Sequence, residues 1–139
     1  MDRSAPILHV EDDPIDVSNV QRAFSRCGIG NPLRPARSGE EALDVLRGKQ
    51  GDPELRPGII LLDLSMPGMD GLEFLQHAKA DPELRRIPVV VLTASNHDTD
   101  RRRAYELGAA GYVVKPIDFE AFVRAVQVVE RYWALCALA

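Results

Sequence analysis

Several classes of protein are excluded by what this 139-residue chain lacks. No apolar run is longer than a strand, and the stretch near the amino terminus, behind Asp2 and Arg3, is five apolar residues broken by His9. A secretory leader needs a longer apolar core and a membrane span needs about 20 apolar residues, so neither is expected. Cysteine is scarce: Cys27 and Cys136 stand far apart with no CxxC spacing, which argues against a disulfide framework or zinc site and fits the reduced thiols of a cytoplasm. Positive charge is in deficit, with 17 Lys and Arg against 21 Asp and Glu and a net charge of −4, so no basic field exists to attract nucleic acid or a membrane surface. The chain also lacks the GxxxxGK[ST] loop of a P-loop NTPase and a GxGxxG after its first apolar run. There is no internal repeat and no Pro/Gly/Ser-rich linker. With 45% hydrophobic and 27% charged residues the composition is ordinary for a globular chain. One domain is expected over 1–139, with a core from about 6 to 133 and an apolar tail over 133–139.

What is present is an alternation. Short β-type apolar runs occur at Ile7 to Val10, Leu33 to Arg37, Gly58 to Asp63, Ile87 to Thr93 and Gly111 to Lys115. Ile59-Ile60-Leu61-Leu62 and Val89-Val90-Val91-Leu92 are continuously apolar, as strands buried on both faces must be. Helical patterns separate these runs. Asp13-Pro14 reads as an N-cap and first helical residue, with Val17, Val20, Phe24 and Cys27 following before Gly28. Ser38 with Glu41 and Asp70 with Glu73 have reciprocal capping-box spacing and open helices near Gly39 to Arg47 and Gly71 to Lys79. A fourth helix, about Asp98 to Leu107, has few large apolar residues and the run Arg101-Arg102-Arg103, so it should be loosely held. A fifth runs from about Asp118 to Trp133, and Gly48 to Pro57 reads as a loop. Five such alternations predict an α/β, flavodoxin-like, doubly wound, five-stranded parallel sheet with five helices.

Ligands of such sheets bind outside the carboxyl ends of the strands. There the chain places Glu11-Asp12-Asp13, Asp63, Thr93 and Lys115-Pro116. Three or four carboxylates in one crevice repel one another unless a cation is bound, and a set without His or Cys suits Mg²⁺. Lys115 is suited to neutralise, and Thr93 to hydrogen-bond, the oxygens of a phosphoryl group attached to a carboxylate. Asp13, before Pro14, reads chiefly as a helix cap. His9 reads as a satisfied core or crevice-wall histidine, not a ligand.

Four segments, in order and at successive strand ends, carry a resemblance: Val10-Glu11-Asp12-Asp13, Leu62-Asp63-Leu64-Ser65-Met66-Pro67-Gly68-Met69-Asp70-Gly71, Val91-Leu92-Thr93-Ala94-Ser95 and Gly111-Tyr112-Val113-Val114-Lys115-Pro116. Together they strongly resemble the receiver domain of two-component response regulators, from about Pro6 to Val129. The resemblance implies that Asp63 accepts a phosphoryl group from a phosphohistidine of a sensor histidine kinase. It further implies that Asp12 ligates Mg²⁺ directly, Glu11 through water, Asp63 by its carboxylate and Ser65 through its backbone carbonyl. Thr93 and Lys115 would contact the phosphoryl oxygens, Lys115-Pro116 would be a cis peptide, and Tyr112 would be the aromatic switch that answers Thr93.

A narrower likeness lies in Lys79-Ala80-Asp81-Pro82-Glu83-Leu84-Arg85-Arg86-Ile87-Pro88, Lys115-Pro116-Ile117-Asp118-Phe119 and Glu130-Arg131-Tyr132-Trp133. These resemble single-domain regulators paired with bacterial phytochrome-type kinases. The chain departs from the common pattern at Glu11, where the family more often has aspartate, and at Asp13, where that subgroup often has asparagine. Ser65 and Ser95 occupy positions that in the family set how fast water removes the phosphoryl group. No output domain is expected after Trp133, so the message should leave through a partner surface. Two other readings are weighed: a haloacid-dehalogenase-like phosphatase, which needs a second acid where Ser65 stands, and a non-phosphorylated interaction module, which needs a key residue lost. The fifth helix carries a core stripe of Phe119, Phe122, Val123, Val126, Val129 and Trp133, and a second stripe of Ala121, Ala125, Val128, Tyr132 and Leu135. The second stripe and the tail from Trp133 to Ala139 are expected to form a homodimer seam.

Overall fold

A computed structural model describes residues 4–48 and 56–138, with side chains as far as Arg131. Strands and helices alternate as β1 (Ile7–Val10), α1 (Pro14–Arg26), β2 (Leu33–Ala36), α2 (Gly39–Leu46), β3 (Ile59–Leu62), α3 (Gly71–Ala80), β4 (Val89–Thr93), α4 (Asp98–Glu106), β5 (Gly111–Val114) and α5 (Phe119–Leu138). A 3-10 turn, Leu84–Arg86, precedes β4; its three residues are too few to show periodicity in the sequence. Every strand pair is parallel and the order across the sheet is β2-β1-β3-β4-β5, the expected flavodoxin-like doubly wound arrangement. Most of the expected Gly48 to Pro57 loop lies outside the described residues. Among the described residues no helix is long and apolar enough to cross a membrane.

β1, β3 and β4 are buried along their full lengths because both sheet faces are covered. The strand period of two divides their side chains between two cores. Ile7, Ile59, Leu61, Val90 and Leu92 pack with Val20, Ala23, Phe122, Val123 and Val126 of α1 and α5. Leu8, Val10, Ile60, Leu62, Val89 and Val91 pack with Leu43, Leu46, Phe74 and Leu75 of α2 and α3. The two edge strands differ. β2 carries Pro35, whose missing N–H an edge tolerates, and β5 is half-buried throughout.

The helix starts follow the expected caps. Asp13 accepts from the Ile15 N–H at 2.9 Å, Ser38 from Glu41 at 3.0 Å and Asp70 from Glu73 at 2.9 Å. At Ser38 the expected reciprocal bond goes elsewhere: the Glu41 carboxylate reaches one residue further back, to the Arg37 N–H at 2.9 Å. Asp118 is a cap and not the first helical residue, accepting from the Ala121 N–H at 3.2 Å. α4 buries one residue, Ala104, in keeping with its few large apolar residues.

Candidate functional site

Strand register assembles the site. Val10 pairs with Leu62, so Glu11 and Asp63 leave the sheet side by side, and the Asp63 N–H donates to the Val10 carbonyl at 3.0 Å. Thr93 pairs with Val114, and the Lys115 N–H donates back to the Thr93 carbonyl at 2.7 Å. Each polar residue follows directly on an apolar strand, or ends it in the case of Thr93. The chain therefore leaves the core where its charge begins.

One carboxylate oxygen from each of Glu11, Asp12 and Asp63 lies within 4.8 Å of the others. Glu11 is 1% exposed and Asp63 is buried, while Asp12 opens to solvent. The Lys115 ammonium donates to Glu11 Oε1 at 2.5 Å and Asp16 Oδ2 at 3.0 Å, and stands 4.0 Å from Asp63 Oδ2. Burial, joined by the neighbouring Asp63, pushes the Glu11 carboxyl up to about 8 against the pull of Lys115. Burial works against the ammonium too, but hydrogen bonds to Glu11 and Asp16 and the field of Asp63 outweigh it and hold Lys115 above its ordinary value. Lys115 stays charged at neutral pH, and a divalent cation bound among these oxygens would oppose the upward push on Glu11 and favour its ionised form. Three hard oxygen donors with no His or Cys among them fit such an ion.

The other candidates surround this cluster. Ser65 is exposed beside Asp63, its N–H donating to Asp63 Oδ1 at 3.4 Å. Thr93 is fully buried and its Oγ1 accepts from the Ser95 N–H at 3.4 Å. Tyr112 donates its hydroxyl to the Ser95 carbonyl at 3.0 Å, with the Arg101 guanidinium 5.6 Å from its ring centre. Tyr112, on β5, is thus tied to the β4–α4 loop and not to the carboxylate cluster. Ser95 itself donates to Asp100 Oδ2 at 2.5 Å, pinning that loop to the start of α4.

Two expectations are corrected. The Lys115–Pro116 bond is trans, as are all peptide bonds among the described residues; the trans form is the lower one for X–Pro, and Glu11 and Asp16 already hold the lysine side chain. His9 is 2% exposed but not satisfied, since its Nε2 has no partner. Burial, then the nearby Lys115 charge, lowers it to about 4, so it is neutral. Asp13 is a cap, as expected, while Asp16 was not singled out at all. At the third position of a helix an aspartate reads as a favourable charge on the helix dipole, which conceals its bond to Lys115. Glu40 was also missed: its carboxylate accepts the Met69 N–H at 2.9 Å and ties the β3–α3 loop to α2.

A flavodoxin-like sheet that gathers acids, a threonine and a lysine at the ends of β1, β3, β4 and β5 defines a class of small signalling domains. Residues 7–127 match the response regulator receiver domain, and the chain belongs to that family. It is 42% identical over 127 residues to the probable methanogenesis regulatory protein FilR2 of Methanothrix harundinacea, covering 91% of this chain and 82% of that protein. It is 40% identical over 129 residues to the response regulator Rcp1 of Synechocystis sp., covering 91% and 87%. Among solved structures it is similar to the phosphorylated cyanobacterial phytochrome response regulator RcpA, with TM-score 0.85, 34% identity and 94% of each chain covered. It is also similar to the Mn²⁺-bound form of Rcp1, with TM-score 0.82, 36% identity and 93% and 94% covered. The bacteriophytochrome response regulator AtBRR gives TM-score 0.74, 44% identity and 89% and 91% covered. Function follows the family: the chain is a response regulator receiver of two-component, phosphorylation-dependent signalling, with relatives associated with phytochromes. The phosphatase and inert-module readings are not favoured.

Proposed function

We propose that Asp63 is the phosphoacceptor and that Mg²⁺, held by Asp12, Asp63, the Ser65 carbonyl and, through water, Glu11, supports the transfer. The observation that carries this reading is the convergence of Glu11, Asp12 and Asp63 within 4.8 Å, with the Lys115 ammonium beside them. An Asp63 carboxylate oxygen forms the new O–P bond as the P–N bond to the donor histidine breaks. When bound, the ion neutralises charge on the transferring phosphoryl group. Thr93 and Lys115 then bind its oxygens, and Tyr112, bonded to Ser95 on the loop that follows Thr93, relays the change to α4 and β5. The chain catalyses only its own phosphorylation and dephosphorylation.

The donor in this proposal is a sensor histidine kinase of the bacterial phytochrome type, and the setting is the cytoplasm. Two exposed apolar residues beside the crevice, Ile15 on α1 and the fully exposed Ile117 after β5, supply a contact surface for the kinase. The chain pairs with a second copy through α5. Val128, on the second stripe of that helix, is 65% exposed, whereas Val123 and Val126 of the core stripe are buried.

Incubation with acetyl phosphate and Mg²⁺ tests the assignment. Wild-type chain is expected to carry one base-labile, hydroxylamine-sensitive phosphoryl group, and Asp63→Asn none. Labelling of the variant at the wild-type level overturns the site.

A further inference from the structure

Lys115 is held by two carboxylates, and neither is the proposed phosphoacceptor. Its ammonium bonds Glu11 at 2.5 Å and Asp16 at 3.0 Å, yet stands 4.0 Å from Asp63, beyond hydrogen-bond reach. The two ties differ in kind. Glu11 is 1% exposed and fixed at the end of β1, whereas the Asp16 side chain is 35% exposed on the first turn of α1. Asp16 therefore returns to water at little cost when its partner leaves, and an ion pair of this exposure is weak enough to be outcompeted. A phosphoryl group on Asp63 brings about −1.5 to −2 charges and three acceptor oxygens to a carboxylate that already stands 4.0 Å from the ammonium. We infer that Asp16 is a positioning residue: it holds Lys115 back from Asp63 in the unphosphorylated chain and competes with the phosphoryl oxygens for the ammonium. The inference rests on Asp63 as the phosphoacceptor. It makes the resting chain hard to mistake for the phosphorylated one, since Lys115 must be drawn from one anion to another.

Beryllium trifluoride with Mg²⁺, a stand-in for the phosphoryl group, reads this competition at equilibrium by calorimetric titration of the full chain. Asp16→Asn, nearly isosteric, is expected to bind it about two- to fivefold more tightly than wild type, the range a part-exposed ion pair supplies. Asp16→Glu, which keeps the anion, should restore wild-type affinity. Asp13→Asn is the charge control, because it removes an equal charge nearby from a residue whose described bond is its cap, and asparagine caps equally well. Wild-type affinity in Asp16→Asn, or an equal gain in Asp13→Asn, overturns the inference and leaves Asp16 as through-space charge. Failure of the underlying reading is distinct: Asp63→Asn would then bind the stand-in as well as wild type does.

Discussion

Gly71, the first residue of α3, lies against the backbone of the loop after β3. A Cβ added there would lie 2.4 Å from the Asp63 carbonyl oxygen and 2.6 Å from Leu64 Cα, both backbone atoms that cannot rotate away. Gly71→Ala should therefore destabilise the chain by about 1–3 kcal/mol, although alanine is the better helix former by about 1 kcal/mol. Urea unfolding checks this, and a wild-type midpoint would refute the close approach. At Gly39 a new Cβ meets the Met69 side chain, which can move, so Gly39→Ala should cost less. A second prediction at this scale concerns Lys115→Ala. The lysine is not the nucleophile, so the variant should still take phosphoryl from acetyl phosphate but fail to transmit the change. Phosphorylation should then leave the Tyr112 resonances in an NMR spectrum unshifted. Residues such as Asp63, Glu11, Thr93 and Lys115 were legible because they interrupt apolar strands at corresponding ends. Asp16 and the unpartnered His9 were not, because their environment depends on which side chains another element brings near.

At the scale of elements, strands and caps were readable to within about two residues, since burial on both faces and an N-terminal Asp or Ser leave local marks. The reach of side chains was less readable, as Glu41 and Asp118 show. The helices are also held unequally, in a way hydrogen exchange measures. α4 buries only Ala104 and lies beside the half-buried β5, whereas α3 buries Gly71, Phe74, Leu75 and Ala78. Amides of α4 should exchange well before those of α3, because local opening there exposes little apolar area. Equal protection would contradict a mobile signalling face. α1 and α5 are joined by a bidentate Arg26–Glu120 pair whose side chains are 51% and 55% exposed, and by the Arg22 guanidinium 4.4 Å from the centre of the Phe119 ring. Burial dominates this contact. Arg26→Ala, which removes only a solvent-screened pair, should leave the unfolding midpoint nearly unchanged, and Phe122→Ala, at the core of the same face, should cost about 3–5 kcal/mol. Thermal and urea unfolding of the two variants compare them.

For the whole molecule, dimension raises the question of assembly. The strands have four or five residues, about 13–17 Å, while the 20 residues of α5 extend about 30 Å. A sheet of that length cannot cover so long a helix. The sequence suggested a helix ending near Trp133, but the backbone remains helical to Leu138. The described members of the second apolar stripe grade outward: Ala121 and Ala125 are half-buried and Val128 is exposed. The stripe members Tyr132 and Leu135, and the tail to Ala139, lie outside the described side chains. An apolar seam along one helix is most simply covered by the same seam on a second copy, since a two-fold contact satisfies both at once. The intact chain is thus expected to sediment as a dimer at tens of micromolar, and a chain ending at Arg131 as a monomer. Val128→Glu in the intact chain should shift the equilibrium toward monomer without lowering the unfolding midpoint of the monomer, because Val128 contributes little to the core. Monomers for both chains at that concentration, with unchanged stability, would show that α5 needs no second copy and that its second stripe serves only its own sheet.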